Sequence, residues 1–306
     1  DINPEGNIST FAKFGYKYLN DKGRITQPMV KRNGSFSPVS YDEALKIITD
    51  KLKSHEPFDS AFMAGGRLSN EELYLVQKLA RAGVKTNNVH SFLYLGRGKG
   101  FESVTRDSVP LLEIRDAKRI ILVGDNLNRL NPLVNHLVFS KKFRDNIPVE
   151  LITTGDGKEL AEKVDKVHHV KSYYSFFKAV NHFMLSQGKQ NQFYIETNCE
   201  GFEEYREALL FEDYDQLLAQ AGGCSQDCLE HIGINYNIDH ESIIIYSLEE
   251  VTASAALEIR NLALLCGKPG KHAAGVVALR EKNNAQGLFD MGVNLRLLPG
   301  TVPVEN

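Results

Sequence analysis

The sequence predicts an α/β protein made of two Rossmann-like lobes with mostly parallel sheets, the middle lobe inserted into the other. Three observations predict it. Strand-like and helix-like patterns alternate along most of the chain. Several apolar runs are short and continuous, as in strands buried on both faces of a parallel sheet. Glycines or polar turns follow the strand ends, and at 306 residues the chain exceeds a typical single domain.

Ser40-x-x-Glu43 is a capping box opening an amphipathic helix to about Ser54, with Ala44, Leu45, Ile48 and Leu52 on one face. Phe58 to Ala64 is expected to be a strand, closed by Gly65-Gly66. Ser69-x-x-Glu72 caps the next helix, whose apolar face is Leu73, Val76, Leu79 and Ala80, and a short strand near Val89 to Leu93 completes a β-α-β unit. A second unit starts with the apolar run Arg119 to Val123, turning at Gly124-Asp125-Asn126. A helix from about Pro132 to Arg144 leads to a strand at Val149 to Thr153, and another helix spans Ser175 to Ser186. Phe193 to Asn237 is expected to be mostly helical. A strand at Ser242 to Tyr246 follows. Ser247-x-x-Glu250 is expected to cap a helix to Cys266, stopped by Gly267 and Pro269, before a last strand at Ala274 to Leu279. The expected division is a lead-in segment at 1–34, a discontinuous lobe of 35–104 plus 238–306, and an inserted lobe at 105–237.

A net charge of −3 gives no electrostatic case for nucleic acid or anionic lipid. No apolar run approaches the roughly 20 residues that a membrane span needs. The start, Asp1-Ile2-Asn3-Pro4, has neither an initiator Met nor a signal-peptide pattern, and the chain is expected to be a piece of something longer. Of four cysteines only Cys224 and Cys228 are close, so thiols in a reducing compartment are expected and no metal site is indicated. His168-His169 lacks nearby carboxylates at metal-site spacing, which favours a structural role. Gly65-Gly66 is expected to be a tight turn, and Arg97, Lys99 and Arg106 a solvated loop. No nucleophile–base arrangement stands out, and no residue is assigned a catalytic role.

The most informative stretch is Asn283-Asn284-Ala285-Gln286-Gly287-Leu288-Phe289-Asp290-Met291-Gly292, at the carboxyl end of the last strand. Amides and glycines there let backbone approach a polar ligand while side chains bind its edges; the same residues also suit a turn that satisfies its own backbone. The run resembles the segment of the molybdopterin-dependent oxidoreductases that lines the pterin-dinucleotide cleft. Further pieces follow the family in order: Phe14-Gly15-Tyr16, Gly23 to Val30, Pro38 to Ala44, Asn70-Glu71-Glu72, Gln77 to Arg81, Thr86 to Val89, and Gly201 to Tyr205. The resemblance implies that residues 1–34 are a remnant of the segment after an iron–sulfur module. It also implies that Gly124, Asn126, Asn283, Asn284, Gln286 and Asp290 bind cofactor.

Several positions depart from the family's pattern. Ser9 stands at its last cluster cysteine, Phe11 at the lysine that follows, and Gly96 near its metal ligand. Thr153-Thr154-Gly155-Asp156 replaces Asp-Pro-Arg, leaving Asp156 to substitute for the acid, and Leu127 replaces the proline of the first turn. These departures resemble the subunit of bacterial NADH-quinone oxidoreductase that keeps molybdopterin-type lobes as a non-catalytic body. That resemblance implies a scaffold for electron transfer with no cofactor in this segment and no catalysis by it alone. The implied partners are other subunits of a respiratory or hydrogenase-type redox complex. The implied location is cytoplasmic, peripheral to the inner membrane through those partners. The alternative is a fragment of a formate-dehydrogenase-like enzyme carrying molybdopterin guanine dinucleotide.

Overall fold

A computed structural model describes residues 6–94, 108–222 and 225–304. Gly96, Arg97, Lys99, Arg106 and Cys224 therefore lie outside the described residues. The chain folds as two compact units, one from residues 1–95 with 282–306 and one from 96–281.

The first unit opens with helix α1 (Thr10–Phe14), the hairpin β1 (Met29–Arg32) and β2 (Ser35–Pro38), and helix α2 (Tyr41–Lys53). The Ser40 hydroxyl accepts from Glu43 N, as the spacing predicts. The predicted apolar face of α2 is only partly covered: Ala44 and Leu52 are half-buried, but Leu45 is 58% and Ile48 53% exposed. β3 (Phe62–Met63) pairs in parallel with β4 (Val89–His90) across α3 (Asn70–Lys78). Both halves of the Ser69/Glu72 capping box form, and a π turn over Leu79–Val84 extends the helix. β3 is shorter than predicted because Pro57–Asp59 forms a 3₁₀ turn, which Pro57 favours at its first position.

The second unit carries a five-stranded parallel sheet in the order β7-β6-β5-β8-β9. Its strands are β5 (Arg119–Val123), β6 (Val149–Thr153), β7 (Lys166–His169), β8 (Ser242–Ser247) and β9 (Gly275–Leu279). On one face Ile120, Leu122, Val149, Leu151, Ile243, Ile245 and Val277 meet Val134, Val138 and Phe139 of α5 (Pro132–Asp145), which follows the short α4 (Leu127–Leu130). After the short α6 (Lys158–Ala161) comes α7 (Tyr173–Ser186), which buries Phe176, Phe177, Val180 and Met184. It packs among α9 (Phe202–Leu210), α10 (Tyr214–Ala221), α11 (Gln226–Ile238) and α12 (Ala253–Leu265), with α8 (Gln192–Asn198) against α12. Strand order reverses between β5 and β8. Their carboxyl ends thus form the crevice where doubly wound sheets bind ligands.

Three expectations are corrected. β8 and β9, expected in the discontinuous lobe from 238 onward, pair instead beside β5 in the inserted unit. The chain returns to the first unit at Lys282, as α13 (Ala285–Asp290) and the pair β10 (Leu297–Leu298) and β11 (Val302–Pro303). An all-apolar strand such as Ile243-Ile244-Ile245 signals burial on both faces without signalling which sheet it joins. The helix expected from Ser247 starts at Ala253 under a Thr252 cap, because Glu250 is drawn elsewhere. Cys266 is a free, buried thiol, whereas Cys228 is disulfide-bonded, against the expectation of thiols throughout. Among the described residues no helix is long and apolar enough to cross a membrane.

Candidate cofactor site

At the carboxyl end of β5 the chain turns through Gly124, whose φ is +106°. A Cβ there would lie 2.7 Å from Glu250 Oε2 and displace that carboxylate, and the positive φ itself favours glycine. The turn aims its donors at one carboxylate. Asp125 N donates to Glu250 Oε1 at 2.9 Å, Asn126 N to both oxygens at 3.2 Å, and Asn126 Nδ2 to Oε1 at 2.8 Å. Convergent backbone N–H groups form an anion-binding concavity, and the Glu250 carboxylate stands where a ligand anion would sit.

The Asp125 side chain leans to the turn after β6. Its Oδ2 lies against Gly155 and accepts from Gly157 N at 3.4 Å, while its buried Oδ1 has no hydrogen-bond partner among the described residues. Nearby, Thr154 N donates to the Tyr173 hydroxyl at 3.1 Å. Burial, together with the charges of Asp125 and Glu250, pushes the Tyr173 phenol above its ordinary range, against weaker opposition from the Thr154 hydrogen bonds. Asp156, the acid expected to substitute at this turn, is exposed and paired with Lys158 at 3.1 Å. Asp125 supplies the buried carboxylate oxygen instead.

In the other unit, Asn283, Asn284, Gln286 and Asp290 come together in one turn and the short helix α13. Asn283 is exposed. Asn284 N donates to Gly66 O at 2.9 Å, and its amide to Leu68 O at 2.7 Å and Asn70 Oδ1 at 3.0 Å. Gln286 Nε2 donates to Asp290 Oδ1 at 2.7 Å. A Cβ on Gly287 would collide with the Asn70 and Asn284 side chains, so the Gln-Gly pair seats the helix on α3. Phe289 stacks on Tyr94 at 4.1 Å between ring centroids.

Arg81 closes the motif from behind. It donates to Gly292 O (2.6 Å), Asn294 O (2.7 Å), Leu297 O (3.0 Å), Asn87 Oδ1 (3.0 Å) and Gln77 Oε1 (3.3 Å). Those are all five donors of a guanidinium. Burial lowers its pKa from the ordinary arginine value without discharging it at neutral pH. Ser9 works as a helix cap, its hydroxyl accepting from Ala12 N at 3.1 Å, and Phe11 is 80% exposed.

Sequence reasoning placed Asp125 in the first turn without giving it a role, and missed Glu250 and Arg81 as parts of these turns. The signal for Glu250 was present: two consecutive carboxylates, Glu249 and Glu250, lie one residue beyond the second strand of the switch point. It was read as a cap because Ser247-x-x-Glu250 has the spacing of one. Side chains of the types that can ligate a metal converge elsewhere among the described residues, at Glu150, His168 and His231.

Over residues 24–298 the chain matches the family described as molybdopterin oxidoreductase. Among its relatives is F420-dependent formate dehydrogenase 2 subunit alpha of Methanococcus maripaludis, 27% identical over 97% of this chain and 45% of its own length. Another is the putative formate dehydrogenase YrhE of Bacillus subtilis, 29% identical over 98% of this chain and 32% of its own. The chain thus spans about a third to a half of the length of these relatives. Acetylene hydratase from Pelobacter acetylenicus shares the fold, with a TM-score of 0.60 over 80% of this chain and 35% of that one at 16% identity. The chain belongs to the molybdopterin oxidoreductase family.

Proposed function

We propose that this chain is the cofactor-binding part of a formate-dehydrogenase-like molybdopterin oxidoreductase. The observation that carries the proposal is the turn at the switch point. Three N–H donors face its crevice together with an Asp125 oxygen that is buried and partnerless among the described residues. Such a donor set fits a nucleotide: the N–H groups take a phosphate in place of Glu250, and Asp125 accepts from a ribose hydroxyl or a base amine. A bound pterin–metal group supplies the two-electron redox chemistry. Gly124, Asp125 and Asn126 would hold the dinucleotide portion. The Asn283–Asp290 turn offers polar edges of its own to such a group, with Asn283 the exposed amide and Arg81 fixing the backbone behind it.

The scaffold reading, drawn from likeness to a subunit of NADH-quinone oxidoreductase, rests on Ser9, Phe11, Gly96, the Thr153 to Asp156 stretch and Leu127. The first two have local roles as a cap and a surface side chain, and the relatives named above carry formate dehydrogenase names. The subunit-alpha relative supports further redox subunits as partners.

The test is cofactor content. Protein purified from a host that makes molybdopterin guanine dinucleotide is assayed for released pterin by fluorescence and for guanosine monophosphate by chromatography. Both are expected in stoichiometric amounts. Asn126→Ala removes one side-chain donor and is expected to lower retention roughly tenfold, equivalent to about 1.4 kcal/mol. Wild-type protein free of pterin, from cells that load a control formate dehydrogenase, would sink the proposal.

A further inference from the structure

The amino-terminal half of the sheet in the inserted unit gathers charged groups that cofactor binding does not use. Glu150 is the second residue of β6 and 3% exposed. The register sets Glu150 opposite Lys166 and Ile152 opposite His168, so the pleat puts Glu150 and His168 on one face. His168 Nε2 lies 2.7 Å from Glu150 Oε2. His231, from α11, brings its Nε2 to 3.0 Å from the same oxygen. Arg119 Nη1 holds the other oxygen, Oε1, at 2.6 Å and turns its Nε to Asp239 at 2.5 Å. Burial pushes the Glu150 carboxyl up. The hydrogen bond from His168 and the charges of His231, His168 and Arg119 outweigh it and hold the pKa below the usual range.

We propose that Glu150, His168 and His231 form a binding site for a divalent transition-metal ion, zinc foremost. Two imidazoles and one carboxylate are a donor set that zinc takes, with water in the fourth position. The three ligand atoms lie within 4.8 Å of one another. Bonds of about 2.0–2.1 Å set ligand atoms roughly 3.0–3.4 Å apart. The contacts at 2.7 and 3.0 Å therefore open by a few tenths of an ångström to admit the ion. His231 has the freedom to make that adjustment, its side chain being 37% exposed, and its open side gives the ion a way in.

The outer groups suit the metal-bound form. The ion replaces the hydrogens between each Nε2 and the carboxylate, so each ring keeps its proton on Nδ1. His168 Nδ1 faces Cys228 Sγ at 3.1 Å, and His231 Nδ1 faces the Asn235 side-chain amide at 3.0 Å. The amide needs only its oxygen turned inward, an orientation interchangeable with the present one. Arg119 does not neutralise the site by itself, because Asp239 shares its charge and Oε2 remains for the ion. Nothing here depends on the pterin proposal.

The 306-residue chain is stripped with chelator, then titrated with Zn²⁺ by calorimetry and with Co²⁺ by visible absorption. One zinc per chain and the strong visible bands of four-coordinate cobalt are expected. His231→Ala is expected to weaken zinc binding by about 100-fold or more and to abolish the bands. Its metal-free circular dichroism and Tm should stay at wild-type values, because His231 sits at the edge of the cluster. Cys228→Ser removes that residue's disulfide but keeps an acceptor for His168 Nδ1, and is expected to bind zinc to within a few-fold of wild type. Absence of binding by the wild type, or His231→Ala binding as tightly as wild type, would overturn the proposal. So would zinc affinity that follows Cys228 instead of His231.

Discussion

Arg81→Ala is expected to cost about 3–4 kcal/mol and to release residues 292–298 from the π turn that extends α3. Hydrogen bonds to a charged group contribute about 1.5–3 kcal/mol each, and three here end on backbone carbonyls of one segment. Their sum is not additive, since a loosened segment returns some carbonyls to water. Val293 and Asn294 lie fully or nearly buried in that segment, so the loss also weakens apolar packing. Arg81→Lys is expected to recover less than half, because one ammonium cannot span carbonyls that a planar fork reaches together. Hydrogen exchange over residues 286–304 should accelerate roughly 100-fold in Arg81→Ala, with a Tm fall of roughly 6–10 °C. Unchanged exchange in that segment would refute the clamp. The effect bears on function because the segment begins at Asp290-Met291-Gly292, so a loosened clamp should also lower pterin retention.

Much of the first unit's local structure was legible because its signals are local. Ser40 and Ser69 announce their helices through a hydroxyl three residues before a carboxylate, and both caps form. The apolar runs Ile120 to Val123 and Ile243 to Ile245 announced buried parallel strands. Which sheet β8 would join was not legible, because pairing is a property of two segments about 120 residues apart and neither carries a label for the other. The site shows the same limit. The amide-rich run was visible, but Arg81 reaches it from more than 200 positions away and had only a helical spacing to recommend it. Glu250 was mistaken for a cap since its spacing satisfied that rule, and only the folded chain shows its carboxylate on the turn at Gly124 to Asn126. Glu150 sat inside an apolar strand, where a lone carboxylate signals a buried partner without naming it.

That partner set makes Glu150→Ala the most damaging single change expected in the inserted unit. Removing the carboxylate leaves His168 and His231 without their acceptor and Arg119 with Asp239 alone, in a layer where Glu150 and His168 are almost wholly buried. Breaking a buried pair from one side costs about 3–5 kcal/mol, because the uncompensated charge stays in place. A Tm fall of roughly 10 °C follows for a unit of this size. The pH dependence distinguishes this charge network from simple packing. Glu150 has a folded pKa below its ordinary value of 4.5, so its contribution is fully present above that value. It is lost as pH falls through the lower, folded pKa, where the carboxylate takes up a proton. The stability gap between wild type and Glu150→Ala should therefore narrow as pH falls below about 4. Glu150→Leu restores volume but not charge, and should show the same convergence at acid pH with a smaller gap at neutral pH. Denaturant titrations of the three proteins from acid to neutral pH measure both quantities. A gap that stays constant into acid would assign the loss to packing alone and remove the ionised carboxylate from the account.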